Sequence, residues 1–218
     1  DFAYTQFLTT VYVGRGLAYE RREHYEEAIA EYDLALAFGL DEPILYYYRG
    51  LTYLKANQMT NARNDFNTAL QRDPNYAPAL EEMTSLYDSR NDLDQAMEYN
   101  LRWVEAEPQN EEAYTFLSHL YIRLEQPRDA YQAANTAIEI NPSNPLGWNN
   151  RGYANELLGN LQEAMLDYIQ ARTINTTYAT VWFNGGRILS QEYAIQLSDI
   201  DNPNIPWIAN SDNGAYGM

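Results

Sequence analysis

Small and large apolar residues recur along this chain at spacings of three and four, which places them on one face of a helix. The pattern also repeats on a longer period. Gly16 and Gly50 are 34 residues apart, and further steps of 34 reach Thr84, Ser118, Gly152 and Gly186, all small. Four residues before these positions stand Tyr12, Tyr46, Leu80, Tyr114, Trp148 and Trp182. Three residues after them stand Tyr19, Tyr53, Tyr87, Tyr121, Asn155 and Leu189. Twelve residues after the first five comes an alanine each time: Ala28, Ala62, Ala96, Ala130 and Ala164. Pro74, Pro108 and Pro142 close three units, since proline cannot continue a helix, while Leu40 and Thr176 hold that place in the first and fifth. Asn75, Asn110, Asn141 and Asn144 gather at these turns, as short polar residues should. Each unit therefore predicts two helices joined by a turn. The small residue of the first helix lets the second approach closely, and the repeated alanine is expected to meet it there. The third unit departs from the pattern, with Thr84 at the small position, Asn100 where the others carry Tyr, Phe or Ala, and Trp103 in place of Ala. Looser packing is expected there, with Trp103 filling the space that Asn100 leaves.

With its 34-residue period and alternating small and large residues, the unit resembles the tetratricopeptide repeat family over about Thr9–Ser198. The resemblance implies an all-α fold, a right-handed superhelical solenoid of helix–turn–helix repeats at about 9–42, 43–76, 77–110, 111–144 and 145–178. Residues 179–198 repeat only the first-helix signature and are expected to cap the array, because a solenoid needs a terminal element with a polar outer face. One domain, 1–198, would then precede an extended tail, 199–218, rich in Pro, Gly and Asn. In that tail Ile205, Trp207 and Ile208 either fold back on the last helix or form an arm that docks on a partner. At the other end Phe2, Ala3, Tyr4, Phe7, Leu8, Val11 and Tyr12 fall at helical spacing in a run without charge from Phe2 to Gly14. This stripe, with Phe2 and Phe7 as end contacts, covers the end of the solenoid, follows an earlier helix, faces a partner or continues from an anchor. The run is too short to cross a bilayer by itself.

Composition narrows the chemistry. The chain has 218 residues, 14 Lys plus Arg against 31 Asp plus Glu, and a formal net charge of -17. Such a balance argues against nucleic acid, whose phosphates demand a basic surface. Cysteine is absent, which excludes disulfides, thiolate metal sites and Cys nucleophiles. His24 and His119 are the two histidines, and neither has a second His at ligand spacing. Asp88, Asp92 and Asp94 surround a turn, but their spacing does not match an EF-hand loop and suits helix capping better. No Gly-rich phosphate loop or nucleophile elbow is legible, so neither catalytic residues nor a cofactor or metal is expected. Asn175-Thr-Thr177 is a glycosylation sequon, placed at the turn before the cap. The 20 tyrosines are largely the large half of the packing pattern.

In proteins of this family the inner face is lined mainly by first helices and takes a peptide or a partner's segment. Carrying the phase over, the first unit offers Val13 and Leu17, and the second Tyr47, Leu51, Leu54 and Lys55. The third offers Glu81, Ser85 and Asp88, the fourth Thr115, His119 and Arg123, and the fifth Asn149, Tyr153 and Glu156. This groove reads as an apolar, aromatic half followed by an acidic and polar patch. A familiar use of the family is a clamp of Lys, Asn and Arg on the C-terminal carboxylate of a chaperone. Glu81 and Asp88 stand where such a clamp needs cations, so no binding of a chaperone tail is expected. A neutral, apolar or Arg-bearing segment suits the groove better.

These features predict a non-catalytic protein-interaction scaffold within a larger assembly. The alternative is a structural subunit that packs through its ends and tail, on copies of itself or in a fixed complex. Regular repeats with Asn-rich turns suggest a bacterial chain. Absent Cys, scarce Lys and a start at Asp1 slightly favour the cell envelope or export over the cytoplasm.

Overall fold

The structure, a computed structural model, describes residues 2–174, with side chains from Tyr4 onward. The expected cap at 179–198, the sequon at Asn175, the tail residues Ile205, Trp207 and Ile208 and the side chain of Phe2 lie outside the described residues.

The described residues form ten α-helices and no strand: α1 (Phe2–Glu20), α2 (Tyr25–Ala37), α3 (Pro43–Lys55), α4 (Met59–Arg72), α5 (Ala77–Ser89), α6 (Leu93–Ala106), α7 (Glu111–Arg123), α8 (Pro127–Ile140), α9 (Pro145–Leu157) and α10 (Leu161–Ile174). The first helices α3, α5, α7 and α9 start in register, at Pro43, Ala77, Glu111 and Pro145. Among the described helices none is long and apolar enough to cross a membrane. Local chemistry explains several boundaries. Proline opens α3, α8 and α9, where its missing N–H is harmless. Asn110 caps α7 by accepting from the N–H groups of Glu112 (2.9 Å) and Ala113 (3.3 Å), and Asn144 caps α9 through Leu146 N–H. Asp92 does the same for α6.

The turn inside each unit is stereotyped. Glu23, Asn57, Asn91, Glu125 and Gly159 follow one another at the repeat spacing, and all have positive φ (61, 58, 61, 57 and 82°). Each follows the last turn of a first helix and closes it with paired backbone bonds. In the fourth unit Gln126 N–H reaches Tyr121 O (2.9 Å) while Glu125 N–H reaches Ile122 O (3.1 Å). Unit one also ends in this way, on Gly39 (φ 81°), where units two, three and four have Pro74, Pro108 and Pro142 after a residue of negative φ.

Packing within units corrects one expectation. In units one, two and five the small residue of the first helix lies nearest a ring of the second helix, and in unit five the backbone of the repeated alanine, Ala164, stands beside the ring. A Cβ built on Gly16 would lie 2.4 Å from the Tyr32 ring, and one on Gly50 would lie 2.6 Å from the Phe66 ring. On Gly152 it would lie 2.8 Å from the Tyr168 ring. The two exceptions are complementary: Thr84 stands in the unit whose second helix supplies Asn100, and Ser118 in the unit that supplies Ala134. The third unit is not loosely packed. Asn100 and Trp103 are both buried, Asn100 donates to Ala113 O (3.3 Å), and Trp103 belongs to an apolar cluster spanning α4 to α7.

A polar feature accompanies the glycine–ring pairs. Arg49 forms a two-pronged pair with Asp65 (2.7 and 2.6 Å) and reaches back to Asp33 of the previous unit (2.5 Å). Arg151 repeats this with Asp167 (3.0 and 2.6 Å) and Asn135 (2.7 Å), and Arg15 pairs with Glu31 (2.7 Å). Each guanidinium stands over the large aromatic residue of its own first helix, Arg151 at 4.8 Å from the Trp148 ring. Arg49 and Arg151 thus each tie three successive helices together. In the third and fourth units the corresponding positions are Met83 with Tyr99 and Leu117 with Ala133.

Two pairs of successive first helices touch directly, α1 with α3 and α7 with α9. The predicted groove residues lie on the first helices.

Candidate functional site: the inner face of the first helices

The structure divides the predicted groove residues into three groups. Val13, Thr115 and Asn149 are buried and do not line an open surface, although Tyr47 and Glu81 at the same repeat position are only half-buried. A second group consists of charges already engaged. Lys55 pairs with Glu20 (2.5 Å), which also accepts from the Thr52 hydroxyl (3.0 Å). Arg123 pairs with Asp88 and donates to Asn91, and His119 lies 3.6 Å from Asp88. Asp88 is therefore neutralised by its neighbour and does not present the free negative charge expected of it. Glu156 accepts from the buried Tyr168 hydroxyl (3.1 Å). Ser85 is exposed, while Leu17 and Tyr153 are half-buried against the clusters of the first and last units.

The third group gathers around α3 and α5. Tyr47, Leu51 and Leu54 are half-buried and pack on the central apolar cluster while keeping part of their surface open. The Tyr47 ring meets Tyr76 edge-on (5.7 Å between centroids, 73° between planes) and Tyr48 likewise (5.3 Å, 61°). Burial raises the Tyr47 hydroxyl pKa well above its usual value, and the charges of Glu82 and Glu81 add to this. Burial, with help from Tyr48 and Asp73, brings that of Tyr76 up to about 12. The Glu81 carboxyl is also raised, first by burial and then by the charges of Glu112, Glu82 and Glu107. Burial alone raises Glu82. Of these, Glu107 and its neighbour Glu111 serve the turns: Glu107 accepts from Asn110 (2.7 Å) and Trp103 (3.3 Å), and Glu111 accepts from Asn144 (2.8 Å). Glu81, Glu82 and Glu112 form no ion pair among the described residues. Sequence reasoning singled out Glu81 but passed over Tyr76, Glu82 and Glu112. Glu112 falls at the second residue of its unit, one turn before Thr115 on the same helix face, and that spacing is the signal that could have found it.

At the N-terminal end the apolar stripe of α1 splits. Leu8 and Tyr12 pack on the first cluster, whereas Tyr4, Phe7 and Val11 are exposed, beside a Phe38 ring 6.0 Å from Tyr12.

Known proteins agree with the fold. A tetratricopeptide repeat profile matches residues 13–78 and 117–175, and a second profile of the same description matches 53–120. The human tetratricopeptide repeat protein 6 is 27% identical over 175 residues, covering 79% of this chain. The chain spans only 34% of that relative's length. Among solved structures, Pseudomonas aeruginosa PilF superposes with a TM-score of 0.74 at 15% identity, covering 85% of each chain. YrrB, described as a TPR protein with an unusual peptide-binding site, gives 0.67 at 19% identity, covering 79% of this chain and 89% of that one. At these identities the two structures share the fold, a superhelical solenoid. With profiles of this description matching well over half of its residues, the chain belongs to the tetratricopeptide repeat family.

Proposed function

We propose that the chain is a non-catalytic scaffold that holds a segment of a partner protein along the inner face of its first helices. The observation that carries this reading is the half-buried apolar strip of Tyr47, Leu51 and Leu54, packed on the central cluster beside carboxylates with no ion pair among the described residues. A rigid apolar strip with a few convergent polar groups is a common form of binding site. The peptide-binding site ascribed to YrrB is consistent with it. The test is native purification of the full chain beside Tyr47→Ala and Leu51→Ala, with identification of what co-purifies. A partner retained by the parent and lost by both variants supports the reading. A partner held equally by all three places the interface elsewhere.

A chaperone-type acidic C-terminal peptide is expected not to bind. Two of the cations that could grip its carboxylate are engaged, Lys55 with Glu20 and Arg123 with Asp88, and the carboxylates of Glu81, Glu82 and Glu112 repel it. Micromolar affinity in a calorimetric titration would refute this.

The exposed Tyr4, Phe7 and Val11 favour a second reading, in which the N-terminal end packs against another subunit. Light scattering on the parent and on Phe7→Glu separates the two, since only end packing loses mass in the variant. We place this scaffold in a bacterial cell envelope, a location that fractionation of the source cells would test.

A further inference from the structure

The inner face has a charge asymmetry that selects its occupant. Along the C-terminal edge of the first helices Lys55 pairs with Glu20 and Arg123 with Asp88, while Arg21, at the same position of the first unit, is exposed. Along the N-terminal edge, at the third and fourth units, the charges acting on Glu81 are all negative, from Glu112, Glu82 and Glu107. Glu107 is occupied by Asn110 and Trp103, and Glu111 by Asn144. Glu81, Glu82 and Glu112 remain, adjoining the aromatic surface of Tyr47 and Tyr76. Burial has removed part of the water around Glu81 and Glu82 and raised both carboxyls, with no cation in return. An arriving guanidinium or ammonium would supply the missing counter-charge, and ring faces beside it add to its attraction.

We propose that the segment held in this groove is basic, placing arginine or lysine side chains against Glu81, Glu82 and Glu112 and an apolar side chain on Tyr47, Leu51 and Leu54. This rests on the groove reading above and goes beyond it by naming the partner's chemistry. An anionic segment would meet three unpaired carboxylates, and a purely apolar one would bury them without compensation. Lipid headgroups and nucleic acids are anionic and meet the same repulsion.

The test must separate local charge from the overall charge of -17, which attracts any cation. The full chain is used to select from a display library of short, capped peptides of random sequence. The same selection is run on the triple variant Glu81→Gln, Glu82→Gln, Glu112→Gln. A control triple variant, Glu26→Gln, Glu105→Gln, Glu163→Gln, removes the same number of exposed charges elsewhere. The parent and the control are expected to enrich Arg and Lys and deplete Asp and Glu. Selected peptides should bind the groove triple variant about tenfold more weakly by fluorescence anisotropy, and the loss at the control should be much smaller. Equal weakening by both triple variants reduces the preference to overall charge and overturns the proposal. Selected peptides without basic bias that are lost on Tyr47→Ala also overturn it, while the groove reading stands. If no peptide is enriched at all, both fail together.

Discussion

Glycine is demanded in three of the five first helices by a ring and not by the backbone. Gly50 lies under Phe66, so a methyl group there meets aromatic carbons at 2.6 Å. Gly50→Ala is expected to lower stability by about 1–3 kcal/mol through overpacking, measured by urea unfolding. Adding Phe66→Ala should make the effects clearly non-additive, because the fourth unit already pairs a larger Ser118 with Ala134. The turn residues make the opposite prediction. Glu125 holds φ of 57° with a side chain exposed to solvent, in the position where the fifth unit has Gly159. Glu125→Gly should raise the melting temperature by roughly 1–4 °C, because the left-handed strain of about 1 kcal/mol outweighs the added freedom of the unfolded chain. Gly159→Ala should lower it. Scanning calorimetry on the pair decides both. At this scale the sequence showed which positions are small. It did not show what fills the space above them, because the ring arrives from a second helix whose rotation the spacing alone leaves open. The left-handed residues were also legible, as Asn57, Asn91 and Gly159 at the repeat spacing, but Glu23 and Glu125 hid the pattern.

Among the elements, the arginine clamps decide how helices are joined. Arg49 and Asp65 are both largely buried, so removing one partner leaves a desolvated charge. Arg49→Met is expected to cost about 3 kcal/mol in a urea titration. Arg49→Met with Asp65→Tyr copies the Met83 and Tyr99 of the third unit and should recover most of that loss. An additive result would show that the pair contributes more than a packed apolar contact. Arg15, Arg49 and Arg151 stand 16 residues before Glu31, Asp65 and Asp167, so the clamp could have been read from the chain once the facing of the two helices was known. The groove was legible only in part. The repeat phase put Tyr47, Leu51 and Leu54 together on α3, where all three are half-buried. It could not show that Val13, Thr115 and Asn149 are covered, or that Lys55 and Arg123 are engaged, because those contacts are made between units.

Across the whole molecule, charge is distributed unevenly, and pH should reveal where. Glu81 and Glu82 have folded pKa values raised above the usual 4.5. The folded chain therefore holds their protons more tightly than the unfolded chain, and their contribution to stability falls as pH rises above 4.5 through the raised values. Glu81→Gln and Glu82→Gln should each be more stable than the parent at neutral pH. That advantage should shrink as the pH falls to the ordinary glutamate range. A variant whose advantage is independent of pH would locate the effect in packing. Binding of a basic segment should act in the same direction as these substitutions, since it too relieves the uncompensated charge.

The pairing of glycine with a ring also bears on how such a gene can rearrange. Units one, two and five carry Gly under a ring, while units three and four carry Thr with Asn and Ser with Ala. An unequal crossover between units one and two leaves every glycine under a ring wherever the breakpoint falls. A crossover between units two and three with its breakpoint between these two positions creates either Thr against Phe or Gly against Asn, a collision or a hole. Duplications and losses of repeats that join different classes are therefore tolerated only when the breakpoint lies outside the stretch between the small residue and the residue that faces it.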